Sequence, residues 1–101
     1  MTKSIYSIKE NSWLAKIAAK KLGADAVAMV IGKTIHLHGT TKEYFLADER
    51  WVKHELCHIK QYKENGTVLF LTKYLWECLR KGYYNNKFEV EAREAENDTS
   101  K

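Results

Sequence analysis

The stretch Trp51–Tyr62, WVKHELCHIKQY, constrains this chain more than any other, because it carries His54, Glu55 and His58 in HExxH spacing. Histidines four residues apart share one face only if the backbone is helical, one ring then lying a turn above the other. On a helix the pair presents two imidazoles at a separation suited to a single zinc ion. The glutamate directly after the first histidine projects beside the ligands, where it can reach a metal-activated water. Val52, Leu56 and Ile59 form the apolar side of the same helix, and the histidines face away from it, toward a groove. An ordinary amphipathic helix carries such a match by chance. The outward histidines and an acidic helix downstream favour metal binding.

The flanking sequence supplies the elements of an α+β fold. A helix is expected from about Ser12 to Leu22, capped by Asn11 or Ser12 and stopped at Gly23, with Leu14, Ile17, Ala18 and Leu22 as its buried stripe. Runs 25–31 and 34–38 around Gly32-Lys33 predict an antiparallel hairpin, with Ile35 and Leu37 on one face and His36 and His38 on the other. Residues 40–49 read as a loop. The HExxH helix is expected over 50–64, and a strongly apolar third helix over 67–80 reads as the central buried element. After a loop at 82–86, a fourth helix covers about 87–96. Residues 1–10 read as an N-terminal extension tacked on by Ile5, Tyr6 and Ile8, and 97–101 as a fraying tail. The 101 residues thus suit one domain, 1–101, with a short hairpin and about four helices.

Composition narrows the function classes. Seventeen Lys+Arg against thirteen Asp+Glu give a formal charge of +4, dispersed along the chain, which argues against a nucleic-acid partner. No apolar run nears the ~18 residues a membrane span needs, and the N-terminus lacks a secretory apolar stretch. A cytoplasmic protein with no membrane association is expected. Cys57 and Cys78 read as buried reduced thiols, and Cys57 is rotated too far round the helix to serve as a metal ligand.

Two histidines do not complete a zinc site, which takes three protein ligands and keeps a position for water. Carboxylates in Phe88–Glu96, FEVEAREAE, are the candidates. The constellation resembles the gluzincin branch of zinc metallopeptidases, HExxH plus a downstream helical glutamate. Over about residues 26–96 it is similar to small zincin-like domains of bacterial proteins classed as metallopeptidases. The resemblance implies a minimal zincin-like domain with zinc held by His54, His58 and Glu89. Motif register selects Glu89, whereas helical periodicity places Glu91 nearer the Phe88/Ala92/Ala95 stripe, so Glu91 is the rival. Arg93 stands where the family has an aspartate that orients a zinc-bound histidine, so Asp48, Glu49 or a backbone carbonyl must take that part.

The function so implied is a zinc-dependent metallopeptidase, a hydrolase in which Glu55 is the general base for a zinc-activated water. Tyr83, Tyr84 and His36 are candidate donors to the developing oxyanion, although each residue type more often packs or decorates a surface. Its partner would be a peptide or protein substrate, which the 34–38 strand could hold by main-chain pairing, as zincin edge strands do. The chain lacks the second subdomain that flanks the cleft of larger peptidases, so a partner chain could complete it. The competing expectation is a noncatalytic, metal-stabilised interaction module linked to a bacterial toxin or secretion assembly.

Overall fold

A computed structural model describes residues 6–97, and the expectations for Ile5 and for the tail at 98–101 lie outside the described residues. The fold is α+β, with a three-stranded sheet and five helices. β1 (Ser7–Lys9) precedes α1 (Trp13–Leu22), and β2 (Val27–Ile31) and β3 (Thr34–His38) form the hairpin. α2 (Lys42–Ala47), α3 (Glu49–Asn65), α4 (Thr67–Asn85) and α5 (Lys87–Ala95) follow.

The hairpin has the expected strands and turn, with Val30 opposite Ile35 and Ala28 opposite Leu37. Strand alternation buries Ile35 and Leu37 completely. They meet Phe45 of α2, Ile59 and Tyr62 of α3, Phe70 of α4 and Phe88 of α5 in one core. Caps mark the helix starts: Ser12 Oγ accepts from the Ala15 amide and Asp48 Oδ1 from the Trp51 amide. No helix among the described residues is long and apolar enough to cross a membrane.

Several expectations are corrected. The segment read as an N-terminal extension contains β1, which pairs in parallel with β3, Ile8 beside Ile35. β3 is therefore the middle strand, with both hydrogen-bonding edges taken, and cannot pair a peptide substrate along 34–38. The outer strands of the sheet are β1 and β2. The loop expected at 40–49 contains α2, which Thr41 caps by accepting from the Tyr44 amide. Its six residues are too few to show a helical period.

The burial of two helices is also corrected. α1 rests on the sheet through Ala15 and Ala19, while Ile17 and Leu22 of its expected buried stripe are exposed. Small residues allow the close approach of helix to sheet, and the large ones turn outward. α4 buries only Phe70 and Glu77, so it is not the central element. Its path runs on to Asn85 across a kink at Gly82, whose φ of 82° suits glycine, and residues 83–85 form a turn of helix where a loop was expected.

Gly39 also has a left-handed φ, 76°, and a Cβ there would run into the Asp25 carbonyl. Gly39→Ala should therefore lower stability by about 1–3 kcal/mol, read as a drop in the urea midpoint at unchanged slope.

Candidate metal centre

His54 and His58 sit one turn apart on α3 with ring centroids 5.1 Å from each other. Glu89 comes from the first turn of α5, which packs alongside. Its Oε1 lies 3.0 Å from His54 Nε2, and its Oε2 lies 3.2 Å from His58 Nε2. Ligand atoms of the three residues all fall within 4.8 Å of one another. Tyr74 of α4 donates its hydroxyl hydrogen to Glu89 Oε2. α5 is delivered to this place by Asn86, fully buried, whose Oδ1 accepts the Phe88 amide hydrogen and whose Nδ2 donates to the Tyr74 carbonyl.

The other ring nitrogens decide how the cluster is protonated. His54 Nδ1 lies 2.6 Å from Glu96 Oε2, an acceptor, so this nitrogen carries hydrogen. His58 Nδ1 lies 2.8 Å from Gln61 Oε1. Gln61 is oriented by its Nε2, which donates to the Phe88 carbonyl at 3.2 Å and to Glu91 Oε1 at 2.7 Å. Its oxygen therefore faces His58, whose Nδ1 must be the donor. Both Nε2 lone pairs then point at one carboxylate. Acceptors facing acceptors repel, so either each Nε2 binds a proton or a cation lies between the three groups. Two imidazole nitrogens and a carboxylate oxygen match the ligand set of an open zinc site, and outer acceptors on both Nδ1 atoms are what ligating histidines normally have.

Charge follows this arrangement. Burial opposes ionisation of Glu89, but hydrogen bonds from His54 and His58 hold its carboxyl well below the usual carboxylate range. Burial likewise opposes charge on His54 and His58, and the hydrogen bonds to Glu89 outweigh it and raise both pKa values. Glu55, 4% exposed, has an Oε1 with no hydrogen-bond partner among the described residues. Burial pushes its carboxyl up to about 8, the His58 charge opposes this, and Glu89 and Glu96 add to it.

His54, Glu55, His58 and Glu89 line a cavity of about 510 Å³ between α1, β2, α3 and α4. Tyr83 borders the same cavity. Tyr84 does not: Arg93 lies over its ring at 3.9 Å and donates to its carbonyl. His36 is also apart, with Nδ1 bonded to Ser12 Oγ at 2.8 Å. Glu91 is exposed and accepts from Gln61, and it takes no place in the cluster. Cys57 stands outside it too, its thiol pushed up to about 11 by burial and by Glu91.

Asp48 and Glu49, expected to orient a histidine, lie at the start of α3, where Asp48 is the cap. Glu96 and Gln61 hold the rings instead. Both were detectable by spacing: Gln61 is three residues beyond His58 on one helix, and Glu96 is two turns beyond Glu89.

The arrangement is an α+β scaffold presenting a two-histidine, one-carboxylate cluster beside a cavity. Residues 9–66 match the family model of the eCIS core domain, the core domain of extracellular contractile injection systems, and the chain belongs to that family. The match spans α1, the β2–β3 hairpin, α2 and α3 with both histidines, takes in only Lys9 of β1, and ends before α4 and α5. No peptidase family model matches. No curated protein and no solved structure shows significant similarity to the chain.

The raised Glu55 pKa has a stability consequence with a definite sign. The metal-free protein should have its full Glu55 contribution below the ordinary value of 4.5 and lose it as pH rises through about 8. The raised histidines act in the same direction above their ordinary 6.5, whereas the depressed Glu89 costs stability only as pH falls below 4.5. In chelator, Tm should therefore fall from pH 6 to pH 9, and Glu55→Gln should flatten that slope. An unchanged slope in the variant would show that Glu55 is not the group titrating.

Proposed function

We propose that this chain is a metal-stabilised interaction module of an extracellular contractile injection system, folded as one domain around a divalent cation held by His54, His58 and Glu89. Membership of the eCIS core family carries the assembly half of this reading. The pair of Nε2 atoms aimed at one buried carboxylate carries the metal half. A cation there removes the need to protonate two buried imidazoles, so its binding energy becomes folding energy. Zinc fits the donor set best, and the module's partners are other proteins of the assembly.

A second reading has one observation in its favour. Glu55 keeps a buried carboxylate oxygen with no hydrogen-bond partner among the described residues, and it lines a cavity of about 510 Å³. Zinc bound beside it would supply Lewis acidity to a carbonyl and acidity to a water. Glu55 Oε1 would accept the water proton and return it to the leaving amine, and the Tyr83 hydroxyl would donate to the oxyanion. On this reading the protein is a peptidase.

Zinc at a hundred times its Kd should stabilise the protein by about 2.7 kcal/mol, raising Tm by roughly 10–20 °C. His58→Ala and Glu89→Ala should abolish that increase, and Glu91→Ala should keep it. No metal-dependent increase in wild type would sink both readings.

Peptide cleavage separates the two. The module reading expects no turnover and full zinc stabilisation in Glu55→Gln. Turnover in wild type that falls roughly 10²–10⁴-fold in Glu55→Gln, with zinc retained, would establish the peptidase instead.

A further inference from the structure

α1 and α4 turn large apolar side chains to solvent, and both border the cavity described above. On α1, Trp13 is 66% exposed, with Ile17 and Leu22 also exposed. On α4, Val68, Leu69, Leu75, Trp76 and Leu79 are exposed, Leu79 by 82%. Isolated apolar residues on a surface are ordinary. Eight on two helices that share one cavity, with Ile17, Leu22 and Leu75 bordering it, form a patch that needs an occupant.

The exposed charges on the two helices themselves have one sign. α1 carries Lys16, Lys20 and Lys21 and has no acidic residue. α4 carries Lys73, Arg80 and Lys81, all exposed, and its one acid is Glu77. Glu77 is buried, accepts the Lys87 amide hydrogen at 3.0 Å and lies 3.7 Å from Lys81 Nζ, which it pairs. A second copy is a poor occupant, because a two-fold contact would set these cations against their own counterparts. A structured protein partner would surround the apolar contact with a rim of both donors and acceptors. The two helices supply cationic donors and few acceptors, and the Thr72 hydroxyl is turned back onto the Val68 carbonyl. What remains is a surface that recognises anionic charge above an apolar layer. Exposed Trp and Leu with long cationic side chains beside them suit a bilayer interface, where the apolar groups enter and the cations reach the headgroups.

We infer that α1 and α4 form a peripheral docking face for an anionic phospholipid bilayer. Trp13, Trp76 and Leu79 enter the headgroup–acyl boundary, and Lys16, Lys20, Lys21, Lys73 and Arg80 meet phosphates. It departs from the expectation of no membrane association, involves no spanning segment, and goes beyond the proposed function, on whose metal it does not depend.

The test uses the full chain with vesicles of phosphatidylcholine, with and without phosphatidylglycerol, followed by co-sedimentation and tryptophan emission. Partition with a blue shift is expected on the anionic vesicles alone. It should weaken roughly fivefold for each of Lys16, Lys20 and Arg80 changed to Gln, and should weaken further in high salt. Leu75→Glu with Leu79→Glu should abolish it while far-UV circular dichroism and Tm are kept, since both side chains are exposed. The lysine and arginine variants test the proposal independently should that double variant misfold. Equal partition onto neutral vesicles, no partition onto anionic ones, or partition unchanged in the variants would overturn the inference. So would a stable dimer that shields the tryptophans, or tighter capture of polyglutamate or an oligonucleotide than of anionic vesicles.

Discussion

The contact between α3 and α5 turns on two imidazole nitrogens facing one carboxylate. Glu96 and Gln61 take the Nδ1 hydrogens, which leaves both Nε2 atoms to Glu89. Buried charges of this kind cost several kcal/mol each to desolvate, and close pairing recovers that cost only when every lone pair and proton has a partner. Here the accounting closes with protons on both rings or with one cation, and a cation closes it at neutral pH without charging two buried histidines. The position of α5 is thus tied to the ionic state of α3, and on the proposed reading folding and ligation are one equilibrium.

The outer contacts make that geometry specific. Asn86 starts α5 and holds it to α4 through the Tyr74 carbonyl, while Tyr74 itself donates to Glu89. Phe88, the residue before Glu89, sits in the core against Phe70 with centroids 4.9 Å apart. A side chain anchored in the core on one side and a carboxylate held by a tyrosine on the other leave α5 little freedom to rotate. The matched family region contains both histidines but stops short of this helix, so the carboxylate that meets them comes from the part of the chain outside the match.

The helix carrying HExxH was legible because residue type, spacing and apolar side agree over four turns. The hairpin was legible because Ile35 and Leu37 alternate with histidines around Gly32-Lys33. Glu89 could be named from motif register and Glu91 from periodicity, but choosing between them needed the roll of α5 about its axis, which Phe88 sets. β1 and α2, of three and six residues, are too short for a period to emerge, and β1 forms only because β3 offers an edge 27 residues away.

Local patterning determined which segments become helix or strand, since a turn or a pleat is decided by neighbours within a few residues. It also determined that two imidazoles share one helical face. Burial was a different matter. α1 and α4 read as core helices because apolar residues normally seek an interior, yet a sheet of three short strands offers room for Ala15 and Ala19 rather than for Ile17 and Leu22. Only tertiary structure decided which apolar residues found a partner, which carboxylate met the histidines and which strand lay in the middle. Each of these depends on the limited surface that distant elements present to one another.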